Sequence, residues 1–285
     1  MKRKTKGQVG RAVPASRAGL PSSRGSGSPG RLALPKPPPR GRLALGVQWG
    51  PKNPRPPSRD LPFVFVNVAM TADGKLAPAS RHFEPFGTRR DRLLLLELRT
   101  YADAIMSGAR TIDLNPVTLS NGGEYYTRRR VKRELAPFPI RIVVSGHATL
   151  DPRAAIFNHR FSPILVLASH SAPEKRLKPL RALADEVGVF GRDEVDFAAA
   201  FRWLRAKWNI KTLLCEGGGE VNAALFQAGL VRELYVTVCP VIFGGDAAPT
   251  LADGTGVPRL TQAAPLTLHA QKRVQDELFL VYRAQ

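Results

Sequence analysis

Hydrophobic and polar positions fall into a regular pattern only after Pro62. The run FVFVNVAM (63–70) is apolar, β-branched and aromatic with almost no alternation, which predicts a strand buried on both faces. RRDRLLLLELRTYA (89–102) has helical length, and DAIMSG, IRIVVSG and PILVLAS are short apolar runs closed by small residues. EKRLKPLRALADE and DFAAAFRWLRAKWN read as amphipathic helices, the second leading into the strand-like IKTLLCEGG. Beyond it come ELYVTVCPVIFGG, LTLHAQKRV and DELFLVYRA, strands with no long helix between them. Strands that alternate with helices and then follow one another directly predict an α/β layered domain. Its central sheet is mostly parallel, with an antiparallel C-terminal edge. No repeat or linker interrupts residues 61–285, which read as one domain of about 225 residues.

Residues 1–60 carry none of this pattern. They hold fourteen of the chain's 43 Lys and Arg and a single acid, so they account for thirteen of the formal net charge of +20. Prolines and Gly/Ser clusters such as SSRGSGSPG leave too little apolar side chain to offset the entropy of ordering, and the stretch is expected to be disordered. A nucleic-acid-binding arm, an organelle-targeting peptide and a solvated extension all fit its composition. The extension is favoured, because Trp49 is its only aromatic residue for base stacking, and a nucleic-acid partner is not expected. No apolar run reaches the roughly 18 residues that span a bilayer, so a soluble, cytoplasmic protein is expected. Cys215 and Cys239 both lie in apolar strand-like runs, which indicates neither a disulfide framework nor a cysteine zinc site.

Three segments could carry chemistry. In LLCEGGGEVNAALFQAGLV (213–231) a buried strand ends in Glu216, Gly217, Gly218 and Gly219 and feeds straight into a helix. Such a turn leaves backbone N–H groups pointing outward at the positive end of the helix dipole, and glycines let a phosphate approach them. Without a ligand it is simply a tight strand-to-helix turn. It is a poor dinucleotide fingerprint of the G-x-G-x-x-G type, since Asn222 stands at the third glycine and no acid ends the next strand. NVAMTADGKLA (67–77) places Asn67, Thr71, Asp73 and Lys75 at a strand end, where α/β sheets bind ligands, though an ordinary Asp-Gly turn would look the same. In SGARTIDLNP (107–116) a strand closes on Gly108, and Arg110 and Thr111 open a helical turn suited to a phosphate.

Taken in order with IRIVVSG and PVIFGGDAAPTL, these segments resemble the reductase domain of riboflavin biosynthesis: the C-terminal half of the bacterial RibD deaminase-reductase and its stand-alone archaeal and fungal relatives. The resemblance runs from about residue 62 to 283. It implies a dihydrofolate reductase-like three-layer fold and a homodimer. It also implies NADPH-dependent reduction of the ribosyl group of a 5-phosphoribosylamino-pyrimidine to a ribityl chain. By that similarity the cofactor lies against Gly217, Gly218, Gly219, Glu220, Val221, Asn222, Ala223 and Ala224, with Met70, Gly108 and Thr111 also in contact. Ser145 and Gly146 fall where the adenosine 2′-phosphate is expected, with SGH in place of the family's Asp-Ser. Arg99, Asn115, Leu119 and Glu216 fall on substrate positions, beside Asn67, Asp73 and Lys75 from the strand end. No proton donor can be named.

The chain departs from the family around FEPFG (83–87) and LNPVTLS (114–120). Phe83 and Pro85 replace a serine and a tryptophan, Asn115 an aspartate, and Gly122 an arginine, whose loss would weaken substrate binding unless the nearby RRR (128–130) substitutes for it. Another heterocycle or a pterin is therefore the alternative substrate. His82-Phe83-Glu84 spells the H-x-E of zinc deaminases, but the P-C-x-x-C that supplies two zinc ligands is missing, and only the reductase is expected.

Overall fold

Strand β1 (Phe63–Thr71) shows how the chain divides into layers. Phe63 and Phe65 join one apolar cluster and Val64, Val66 and Val68 the other, so successive side chains feed two cores on opposite faces. In the computed structural model, which describes residues 49–82 and 84–285, β1 is a central strand of a nine-stranded sheet. The other strands are β2 (Ala104–Gly108), β3 (Ile140–Val144), β4 (Ile164–Ala168), β5 (Glu186–Val189), β6 (Thr212–Cys215), β7 (Val231–Cys239), β8 (Leu266–Val274) and β9 (Glu277–Ala284). Their order is β5-β4-β3-β2-β6-β1-β7-β9-β8. Every pairing from β5 to β7 is parallel, and β9 and β8 add the antiparallel edge.

Helices α1 (Arg89–Leu98), α2 (Ala109–Leu114) and α4 (Glu174–Leu183) cover one face through Leu94, Leu98, Ile112, Leu177 and Leu180. Helices α5 (Phe197–Trp208) and α6 (Gly219–Gln227) cover the other through Phe197, Phe201, Leu204 and Leu225. The three layers expected from the strand–helix alternation are thus present. The chain leaves a gap beside β1 that β6 fills later, so the segments after β1, β2 and β6 meet at the carboxyl edge where the strand order reverses, the usual place for a ligand crevice.

Local chemistry sets the helix ends. Thr88 caps α1 by accepting from the Arg90 N–H, and Glu277 at the start of β9 accepts from Thr88 N and Thr88 Oγ1, both at 2.6 Å. Asp196 caps α5 by accepting from Ala199 N at 3.0 Å. The helix expected to reach Glu186 stops at Leu183, because Asp185 exchanges hydrogen bonds with Ile164 and starts β5 along β4. EYYTRRRV folds as α3 (Glu124–Val131), which no apolar period announces, since only Tyr126 and Arg130 of it are buried.

Residues 1–48 of the basic segment lie outside the described residues. Within 49–60, Trp49 is 3% exposed and packs its ring 6.1 Å from that of Phe279. All described residues belong to one structural unit. Cys215 and Cys239 are free and buried on β6 and β7, which flank β1, so two strand spacings of roughly 10 Å in all keep them from bridging. Among the described residues no helix is long and apolar enough to cross a membrane, and no group of acids, histidines and cysteines could hold a metal.

Candidate active site

β6 ends at Cys215, and Glu216, Gly217 and Gly218 turn the chain into α6. The three glycines are needed for different reasons. A Cβ at Gly217 would sit 3.1 Å from the Val221 side chain, and one at Gly219 would sit 2.4 Å from the Thr250 carbonyl oxygen and 2.5 Å from the Asp253 carboxylate. At Gly218 it would meet nothing nearer than Thr111 Oγ1, 4.0 Å away, and the backbone there (φ −72°, ψ 178°) suits any residue. Gly218 therefore keeps a space open at the start of α6, where the N–H groups of the first turn lack partners inside the helix. That space fits the phosphate of a dinucleotide.

The residues expected around the cofactor divide at this point. Gly108 precedes α2 with Val221 packed 3.4 Å from its would-be Cβ, and Thr111 faces Gly218, so β2, α2 and the turn share one crevice. Arg110 reaches across it to Glu220 at 2.9 Å, a pair more than half exposed on each side. Asn222 points elsewhere: it is fully buried, donates to the Leu251 carbonyl at 3.0 Å and accepts from Cys215 Sγ. Ala224 and Met70 lean on the apolar cluster of the α5/α6 face, while Ala223 stays partly exposed. Ser145 and Gly146 follow β3, one strand beyond β2; the Ser145 hydroxyl accepts from Leu150 N at 3.0 Å and the Gly146 carbonyl from Ser169 Oγ at 2.9 Å.

On the α1 face the centre of the site is an ion pair. Arg99 ends α1 and donates from Nε and Nη2 to the two carboxylate oxygens of Glu216, at 2.7 and 2.6 Å, and from Nη1 to the Ser120 carbonyl. Both side chains are 10% exposed. A bidentate guanidinium–carboxylate contact fixes both planes, so each group is held ready for a polar ligand. Leu119 is buried in a left-handed conformation (φ 52°) next to Ser120, and Asn115 closes α2 by donating to the Thr111 carbonyl at 3.0 Å.

Asp73 serves the loop more than an opening. It accepts from the Thr71 hydroxyl and from the N–H groups of Phe243 and Gly244, tying the end of β1 to the PVIFGG segment. The Thr71 hydrogen bond and those amides hold its carboxyl below the usual range despite desolvation. Lys75 directs its ammonium at the Ala248 carbonyl, 3.4 Å away. The RRR cluster does not replace the absent arginine: Arg128 pairs with Glu124, Arg129 with Glu97, and the fully buried Arg130 donates to the carbonyls of Arg99, Ala102 and Ala136. Arg130 thereby supports the backbone that carries Arg99. His82 and Glu84 are exposed, and Phe83 is not among the described residues.

One group went unread in the sequence. Asp91 lies on the same helical stripe as Leu94 and Leu98, which turns its carboxyl toward β7 and β9 instead of solvent. An acid on an apolar stripe was the signal available. Burial, with a smaller push from Glu277, raises its pKa to about 6, and the Thr237 hydroxyl beside it opposes the shift. Because the folded pKa lies above that of an ordinary aspartate, the folded state holds the proton more tightly. The stabilisation from Asp91 is complete below about pH 4 and lost as pH rises through 6. Asp91→Asn, neutral throughout, is therefore expected to exceed wild type in stability at pH 8 by up to ~3 kcal/mol and to match it near pH 4, as read from urea midpoints at the two pH values.

The family model of the RibD C-terminal domain matches residues 62–275. A 2,5-diamino-6-ribosylamino-4(3H)-pyrimidinone 5′-phosphate reductase of Methanothermobacter thermautotrophicus is 34% identical over 221 residues, 78% of this chain and 97% of that protein. The protein of the same name from Archaeoglobus fulgidus is 33% identical over 193 residues, 68% of this chain and 87% of its own. Among solved structures, a pyrimidine reductase-like protein of Corynebacterium diphtheriae superposes with a TM-score of 0.65 at 23% identity, over 79% of this chain and 92% of that one. The first two relatives are matched over most of their length and the third shares the layered fold, as does a Thermotoga maritima deaminase/reductase at 17% identity, over 80% of this chain and 58% of that one (TM-score 0.59). By its sequence over residues 62–275, the chain belongs to the RibD C-terminal domain family.

Proposed function

We propose that the protein reduces the ribosyl group of a 5-phosphoribosylamino-pyrimidine to ribityl in riboflavin biosynthesis, using NADPH. The substrate read from its archaeal relatives is 2,5-diamino-6-ribosylamino-4(3H)-pyrimidinone 5′-phosphate. The observation that carries this is the opening kept by Gly218 beside the buried Arg99–Glu216 pair, one shaped for a dinucleotide and the other for a polar sugar or base.

A bound reduced nicotinamide would supply the hydride that goes to C1′ of the ring-opened sugar imine. The chain's own part is alignment and charge placement. The amides that follow Gly218 hold phosphate, with Gly108, Thr111 and Val221 forming the opposite wall and Ser145 and Gly146 further out. Arg99, its carbonyl supported by Arg130, faces a phosphate or hydroxyl oxygen, and Glu216 accepts from hydroxyl or amino groups. Leu119 and Asn115 shape the α2 side of the same opening. The reading includes residues 61–285 as the catalytic domain, a cytoplasmic homodimer and no nucleic-acid partner. It is tested by following NADPH absorbance after addition of the phosphoribosylamino-pyrimidinone. Consumption with that compound, and none with dihydrofolate, is expected; the opposite preference would move the assignment to a pterin.

A further inference from the structure

Three buried polar atoms converge on the α1 face without a close hydrogen bond to the rest of the fold: Asn67 Oδ1, and Asp91 Oδ1 and Thr237 Oγ1, which face each other. They are not scattered. Asn67 and Thr237 are 8% and 0% exposed, and the register of the parallel pair sets Thr237 on β7 beside Ala69, two residues beyond Asn67 on the same face of β1. Asp91 comes down from α1 next to the Thr237 hydroxyl. Ala69 between them is small and only partly buried, while its polar neighbours on the strands are buried. An unmet buried polar group costs roughly 1–3 kcal/mol, and a fold that gathers such groups in one place is stabilised if a ligand meets them.

Their chemistry selects the ligand. A carboxylate oxygen and an amide oxygen only accept and a hydroxyl does both, so the group that satisfies them is rich in N–H donors, while a phosphate is repelled. The cluster is also continuous with the ion pair. The pairing of Val66 with Cys215 puts Glu216 level with Asn67 on the neighbouring strand. From Glu216, just past the end of β6, to Thr237 on β7 is two strand spacings, about 10 Å, enough for a heterocycle and the first atoms of its sugar.

The geometry points to Asp91, Asn67 and Thr237 as the subsite for the amino-bearing edge of the pyrimidine, with the sugar directed toward Arg99 and Glu216. This rests on the reductase reading and adds the orientation of the base within it. Glu277 and Cys239, on β9 and β7, also lie close to Asp91. A uracil-type ring, with a carbonyl where the pyrimidinone carries its 2-amino group, loses one of these donors, so the subsite also favours the amino form.

The test is calorimetric titration, under anaerobic conditions, of NADPH-saturated protein with 2,5,6-triamino-4(3H)-pyrimidinone, the base without its sugar. Wild type is expected to bind it, Asp91→Asn and Thr237→Val to bind it at least tenfold more weakly, and all three to bind NADPH alike. KM for the full substrate should rise in both variants by a similar factor. Two variants that bind the base as wild type does would overturn the subsite, as would wild type that reduces the phosphorylated substrate yet binds no free base; in both cases the reductase reading stands. Wild type that binds NADPH but neither binds the base nor oxidises NADPH with the phosphorylated substrate overturns both.

Discussion

Gly218→Val protein is expected to fold as wild type does and to bind NADPH at least a hundredfold more weakly, a loss of about 3 kcal/mol. The two halves of that expectation have separate causes. The side chain meets only open space and the backbone is in an ordinary extended conformation, so nothing in the fold resists it. The same open space is the one through which phosphate oxygens approach the unpaired amides of α6, and a branched side chain fills it. Gly219→Ala makes the contrast. Its methyl group would run into the Thr250 carbonyl and the Asp253 carboxylate, and Asp253 N itself bonds to the Gly219 carbonyl, so the 250–253 loop must move. That variant is expected to lose stability first. Melting temperature and nucleotide fluorescence titration, run on both proteins, separate the two glycines. A Gly218→Val protein with wild-type NADPH affinity would empty the crevice of its proposed role.

That contrast also marks the limit of what the sequence could show. EGGG after an apolar run announces a strand, a turn and a helix, and says that backbone amides will be accessible. It does not say which glycine faces the ligand, because that depends on Thr250 and Asp253 arriving from thirty residues further on. The sheet was legible for a related reason: β1, β3, β4 and β6 are buried on both faces, so each is a continuous apolar run whatever its neighbours. Helix α3 was not, since its buried positions are a tyrosine and an arginine, and Arg130 is stable in the core only because three carbonyls converge on it from α1's end and the loop after α3. Asp91 and Thr237 are similar cases. Each belongs to a segment read correctly as helix or strand, and only the pairing of β1 with β7 under α1 brings them to one opening.

Glu216→Gln is expected to cost about 3 kcal/mol of stability and nearly all turnover, while leaving NADPH affinity within a few-fold of wild type. Arg99 and Glu216 are each 10% exposed and joined by two hydrogen bonds, so removing the negative charge leaves a guanidinium with little water around it. Losing one partner of a buried pair is costly mainly for that reason, whereas losing both together is less so. Arg99→Met with Glu216→Gln should therefore be more stable than Glu216→Gln alone, by about 1–2 kcal/mol in urea denaturation, yet just as inactive. Between the single and the double variant, stability would then recover while turnover would not. If the pair only held α1 to the sheet, restoring stability would restore activity in part. If instead its charges meet the substrate, the double variant, better folded and still binding NADPH, remains unable to orient the sugar, and saturating substrate does not rescue it.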